Sequence, residues 1–161
     1  MYARPYIDSL DFARHGRRIG GQVPFSEMPR LQEWLDGSEG GVDYTLQGGI
    51  DHMGRPVLDL GLHGRCRLRC HRCLGGLDYA IRHEMRLVLC DQAGLEELDD
   101  DDEDFDGILA EAHMDVVMLL EDEILLGLPI APMHDACQAD AGKYGREGGH
   151  PFAVLEKLKQ H

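Results

Sequence analysis

Four side chains in this sequence have the types and spacing of a metal site. Cys70 and Cys73 are separated by two residues, and His134 and Cys137 repeat that spacing further along. Two thiolates three residues apart at a hairpin tip can clasp one tetrahedral ion, and the second pair completes a set of three sulfurs and one nitrogen that structural zinc accepts. The gap between the pairs is about 60 residues, longer than in common zinc fingers, and the alternative is two unrelated thiol-bearing loops. A thioredoxin-like redox role fits less well. That motif belongs where a strand enters a helix of a βαβ unit, whereas this CxxC turns a hairpin. Cys66 and Cys90 read as packing, Cys66 because it falls on the apolar face of its strand.

The second feature is a row of cations. Arg65, Arg67, Arg69 and Arg72 lie together, with His63 and His71 beside them, and no acidic residue occurs between Leu60 and Leu77. Alternate residues of a strand share a face and sit ~6.5–7 Å apart, near the phosphate repeat of an extended nucleic-acid strand. The arginine fork binds two phosphate oxygens at once. The alternative is a solvated outer sheet face, paired across the hairpin to acids such as Asp78 and Glu84. No aromatic residue interleaves with the arginines, so base stacking has no support at this level. For catalysis the sequence offers little. Glu121, Asp122 and Glu123 on one helix cannot share a site, because successive residues are about 100° apart. No nucleophile elbow, P-loop, HExxH or dinucleotide fingerprint is present.

These residues need a hairpin and a helix to position them. Val57–Cys70 alternates throughout, with Leu58, Leu60, Leu62, Cys66 and Leu68 on one face and Asp59, His63, Arg65, Arg67 and Arg69 on the other. Leu77–Leu89 alternates again, with Leu77, Tyr79, Ile81, Met85, Leu87 and Leu89 in register. The two strands, joined through Cys70–Gly76, form a long antiparallel hairpin, and Gly41–Gly49 adds a third strand through Val42, Tyr44 and Leu46. Asp8 caps a short helix over Ser9–His15, with Ile7, Leu10 and Ala13 on one side. Arg18–Pro24 is extended. Ser26 caps a helix over Glu27–Leu35. Asp115 caps a helix to about Leu126, stopped at Leu128-Pro129. Pro151 opens a short amphipathic helix to Lys159. The expected fold class is α+β: an antiparallel β-sheet with a long hairpin carrying CxxC at its tip, flanked by short α-helices, in a single domain over residues 1–161.

Composition places limits on function. With 161 residues, 43% hydrophobic and 29% charged, the chain suits one globular domain. Its net charge of −14 argues against a uniformly basic nucleic-acid coat. That charge is segregated. Residues 1–90 hold 12 basic and 11 acidic residues, a net of +1, and residues 91–161 hold 4 and 19, a net of −15. The run Asp99–Asp104 repels itself, so a mobile acidic loop is expected at about 94–107. The plain reading is a solvated loop; the alternative is a mimic or shield that holds a basic partner or covers the arginines. The N-terminus shows no secretory signal, the longest apolar run is too short for a membrane span, and five cysteines, an odd number, read as thiols or metal ligands in a reducing cytosol.

The motifs also carry a resemblance. Cys70-His71-Arg72-Cys73-Leu74 resembles the CxRCL motif of the YceD family, the large ribosomal RNA subunit accumulation proteins. Glu121-Asp122-Glu123-Ile124-Leu125-Leu126-Gly127-Leu128-Pro129 is similar to the family's EDEIxLxLP block. Pro132-Met133-His134-Asp135 resembles its PxHD continuation, and Pro151-Phe152-Ala153-Val154-Leu155 the NPFAVL C-terminus of proteobacterial members. The resemblance implies a cytoplasmic, non-enzymatic factor needed for normal levels of large-subunit ribosomal RNA. Expected accordingly are a zinc ion on Cys70, Cys73, His134 and Cys137, contact of Arg65, Arg67, Arg69 and Arg72 with large-subunit rRNA or its precursor, a basic ribosomal protein as a further partner, no membrane and no catalytic residue. The competing class is a zinc- or thiol-dependent enzyme using Cys70 and Cys73. Deleting Asp99–Asp104 should leave the melting temperature nearly unchanged, since a charge run buries no core. A large loss in thermal denaturation would show that the run is paired to basic residues.

Overall fold

The computed structural model describes residues 2–97 and 106–137. Period-two alternation builds its centre. A five-stranded sheet has the order β2-β3-β4-β5-β6, with β2 at Arg18–Pro24, β3 at Gly41–Ile50, β4 at Pro56–Arg69, β5 at Gly76–Cys90 and β6 at Asp106–Leu109. The first four strands pair antiparallel, and β6 pairs parallel to β5. Two short strands, β1 (Tyr6–Ile7) and β7 (Met114–Asp115), pair with each other and tie the N-terminus to the segment before the last described helix.

The helices cover one face. They are α1 (Ser9–Arg14), α2 (Pro29–Gln32) and α4 (Val116–Gly127), while a further helix, α3 (Gln92–Glu97), buries no residue. Leu58, Leu60, Leu62, Cys66 and Leu68 of β4 and Ile81, Leu87 and Leu89 of β5 are buried there, against Val116, Val117, Leu120 and Ile124 of α4 and Phe12 and Ala13 of α1. The expected faces of both strands therefore hold, and the fold class is α+β. Asp8 caps α1 by accepting from the Asp11 N–H at 3.2 Å, and Asp115 caps α4 by accepting from the Met118 N–H at 3.2 Å. On α1 the buried residues are Ser9, Phe12 and Ala13, with Ile7 and Leu10 only half-buried against the core.

Three expectations change. The helix expected over Glu27–Leu35 is shorter and is not capped by Ser26. A 3₁₀ turn spans Phe25–Glu27, and α2 begins at Pro29, whose missing N–H suits a first helical position. Its cap comes from far along the chain. The buried Glu121 of α4 accepts from the Arg30 and Leu31 N–H groups at 2.7 and 3.0 Å, and from the Arg30 guanidinium at 3.1 Å. A carboxylate here meets the unpaired N–H groups and the positive end of the helix together. Second, the acidic stretch is flanked by regular structure: residues 94–97 belong to α3, and 106 and 107 to β6. The core of the charge run, 98–105, and the expected C-terminal helix lie outside the described residues. Third, the sheet, expected to hold at least three antiparallel strands, has five and ends in a parallel pair, which the hydrophobic pattern did not indicate.

The tip of the hairpin sets the site. β3 accompanies β4 only to the pair Val42↔Gly64, while β4 and β5 remain paired to Arg69↔Gly76. Beyond Gly64, the segment 34–36 takes the place of β3, with Leu35 bridged to Leu68. The Asp36 N–H donates to the Arg67 carbonyl at 2.7 Å, and the Arg69 N–H to the Trp34 carbonyl at 3.2 Å. Since Glu121 anchors α2 just before this segment, Glu121→Ala should leave the part-buried Arg30 N–H and the buried Leu31 N–H without their acceptor, while the Arg30 guanidinium keeps Asp122. Such losses cost about 2–3 kcal/mol. Thermal denaturation should show a melting temperature lower by roughly 4–12 °C, while an unchanged value would mean that α2 is held by packing alone.

Candidate metal centre

The turn Cys70–Gly75 is closed by its own backbone. The Cys70 N–H donates to the Gly75 carbonyl at 2.8 Å, and the Leu74 N–H to the Cys70 carbonyl at 2.9 Å. Leu74 takes φ +62°, the only positive φ at a non-glycine among the described residues. This tight turn puts both sulfurs on one side. From the other direction, α4 ends at Gly127, Pro129 prevents its continuation, and the chain passes back to the hairpin. There the His71 N–H donates to the Pro132 carbonyl at 2.8 Å.

The result is a four-residue cluster. One donor atom from each of Cys70, Cys73, His134 and Cys137 lies within 4.8 Å of all the others. Cys70 Sγ and Cys137 Sγ are 3.7 Å apart, and Cys73 Sγ is 3.3 Å from His134 Nδ1. Metal–sulfur bonds near 2.3 Å and metal–nitrogen bonds near 2.0–2.1 Å at tetrahedral angles would set donors roughly 3.5–3.8 Å apart. These separations fit. All five cysteines are free thiols, so no disulfide competes for the sulfurs.

The surroundings prepare the donors. His134 Nε2 is 2.8 Å from the Gly76 carbonyl, which can only accept, so Nε2 carries the proton and Nδ1 turns its lone pair to the sulfurs. A backbone carbonyl fixing the tautomer of a ligating histidine is the usual outer-shell arrangement. That carbonyl, together with the Cys70 sulfur, holds the imidazole pKa above its ordinary value. Cys70 is fully buried, which by itself would push its thiol up. Hydrogen bonds from the backbone N–H groups of Cys73, His134 and Arg72 and from the Cys73 side chain outweigh this and bring it down to about 5. Cys137 goes the other way, raised by burial and by the neighbouring Cys70 and Cys73 sulfurs. Cys66, outside the cluster, is pushed up to about 11 by burial, as befits a packing thiol.

The arginines divide. Arg65, Arg67 and Arg69 are exposed on the outer face of β4, opposite the buried Cys66 and Leu68. Arg67 is 3.7 Å from the Asp78 carboxylate across the hairpin, a weak pair between exposed groups. Arg72 is set apart. Its guanidinium donates to the Cys137 carbonyl at 3.2 Å and so braces the loop that carries the second ligand pair. Two residues join the exposed face that sequence reasoning passed over. Arg82 of β5 is exposed and paired in register with His63, and Trp34 lies in register beside Arg69. The alternation in β5 would have placed Arg82 there. Nothing local marks Trp34.

Among the described residues no helix is long and apolar enough to cross a membrane. Comparison with curated proteins and with solved structures returns no match. The model of one family does match, over residues 58–159, a span that contains the hairpin, α4 and all four residues of the cluster. Its description is Large ribosomal RNA subunit accumulation protein YceD, and the chain belongs to that family.

Proposed function

We propose that this protein is a non-enzymatic, cytoplasmic factor that supports accumulation of large-subunit ribosomal RNA by binding that RNA or its precursor through a zinc-stapled hairpin. The observation that carries the reading is the placement of the four-donor cluster at the turn that ends an exposed row of arginines on the same hairpin, in a chain of this family. Zinc would be held by the thiolates of Cys70, Cys73 and Cys137 and by Nδ1 of His134, with Arg72 bracing the outer loop. Four protein donors fill a tetrahedron, which leaves no open position for water or substrate and favours a structural over a catalytic ion. Arg65, Arg67 and Arg69 would then meet phosphates from a fixed strand, and the acidic half of the chain carries the complementary charge for a basic ribosomal protein.

Purified protein should contain one zinc per chain, and Cys70→Ser should lose it. A bound metal stabilises the folded state by about 4 kcal/mol when its concentration is a thousandfold above Kd, so a chelator should lower the melting temperature by on the order of 10 °C. Elemental analysis that finds no zinc, with five freely titratable thiols, would remove the metal from this account.

The RNA contact has its own test. Changing Arg65, Arg67 and Arg69 together to alanine should leave the fold intact, because none faces the core. It should weaken cosedimentation with pre-ribosomal particles. For a single strand the log–log salt slope should shrink by about 2, as three phosphate contacts are lost. A triple variant that cosediments normally and restores rRNA levels would assign the arginines to a solvated face.

A further inference from the structure

At the tip of the hairpin, the outer face carries more than charge. The segment 34–36 extends the sheet along β4, with Leu35 and Leu68 both buried and bridged to each other. Alternation therefore turns Trp34 outward beside Arg69. Trp34 is the sole tryptophan and is 36% exposed. Leu74, in its left-handed turn position, is 53% exposed, and no core claims it. Glu33, Trp34, Arg69, His71 and Leu74 line one open pocket of about 320 Å³. That is the low end for small-ligand sites, suited to a single ring system and too small for an oligomer.

We infer that this pocket receives one unpaired base of single-stranded RNA, with Trp34 as the stacking platform and Arg69 as its link to the phosphates along Arg67 and Arg65. The inference rests on the RNA-binding reading above and adds which form of RNA is recognised and where. Charge complementarity picks the occupant. The pocket opens at the end of a row of cations spaced for an extended strand, so a chain whose phosphates follow the row brings its next base to Trp34. Aromatic stacking tolerates any base, because every base presents a π-face, and an adjacent arginine adds a cation–π contribution. Duplex RNA is excluded, since its base faces are covered by their neighbours and only a splayed base can reach an aromatic side chain.

The lone tryptophan makes the test direct. A fluorescein-labelled 12-nucleotide oligoadenylate is titrated at low salt, following label anisotropy for binding and, with unlabelled oligomer, tryptophan emission for stacking. Binding should quench the emission, whereas a 12-base-pair RNA duplex should not. Trp34→Ala should weaken binding at least about fivefold, and Trp34→Phe, which keeps an aromatic face, less than about threefold, with melting temperature measured for each. Should Trp34→Ala fail to fold, quenching in the unaltered protein decides. If the oligomer binds in an arginine-dependent way while emission stays constant and Trp34→Ala binds normally, the pocket inference fails and the RNA reading stands. If the oligomer does not bind at all, both fail.

Discussion

A two-stranded ribbon has too little to bury to hold itself together, and this fold contains one. β4 and β5 continue past the last β3 pair at Gly64 as far as Arg69 and Gly76. An isolated hairpin is marginal in water. Its end is secured from two sides: by the 34–36 segment bridged along β4, and by the 132–137 loop, whose His134 and Cys137 face the sulfurs of the turn. Whatever the outer face of the ribbon does depends on those supports, because arginines on a fraying hairpin would present no fixed spacing.

Both supports lead back to α4. Its N-terminus is capped by Asp115, which also pairs with Arg4 at 2.8 Å and so anchors the start of the chain. Its middle sends Glu121 to the first turn of α2, upstream of Trp34. Its end is fixed on β5, where the Tyr79 hydroxyl donates to the Gly127 carbonyl at 3.3 Å, and a Cβ at Gly127 would collide with the His83 ring. The acidic triplet 121–123 thus serves structure. Glu121 and Glu123 are buried, and Asp122 faces out to meet Arg30 at 2.6 Å.

The two-sided sheet separates tasks. The inner face carries the apolar core; the outer face buries Val57 and Val88 at the end far from the turn and carries ions toward the tip, so the basic residues there are free of packing duty. An acidic chain can present a cationic patch only by gathering its positive charge in one place, since the field of the remaining surface is screened beyond about 8–10 Å in physiological salt. Strand alternation gathers positive charge on the hairpin, and the four-donor cluster lies at the same end, within the turn that joins its strands.

Much of this was legible in the sequence because it is local. Period-two alternation follows from the pleat, so the buried and exposed sides of β4 and β5 could be read off directly, and so could the exposure of Arg65, Arg67 and Arg69. Caps act over three residues, which is why Asp8 and Asp115 mark true helix starts. The Cys and His spacings identified four donors. What local spacing could not supply was any relation across the fold. Cys73 meets His134 across 61 positions and Glu121 caps α2 across 91. Neither separation leaves a trace in local pattern, and the second is why Ser26 looked like a cap that it is not. β6 was hidden for a related reason: half of a short edge strand in an acidic stretch carries no alternation to detect. Trp34 comes beside Arg69 only because β3 stops short and another segment fills its place. Local rules act through neighbours a few bonds apart. The site is made where the loop leaving α4 and the segment leaving α2 converge on one hairpin tip, and that convergence is set by how helices pack on a twisted sheet.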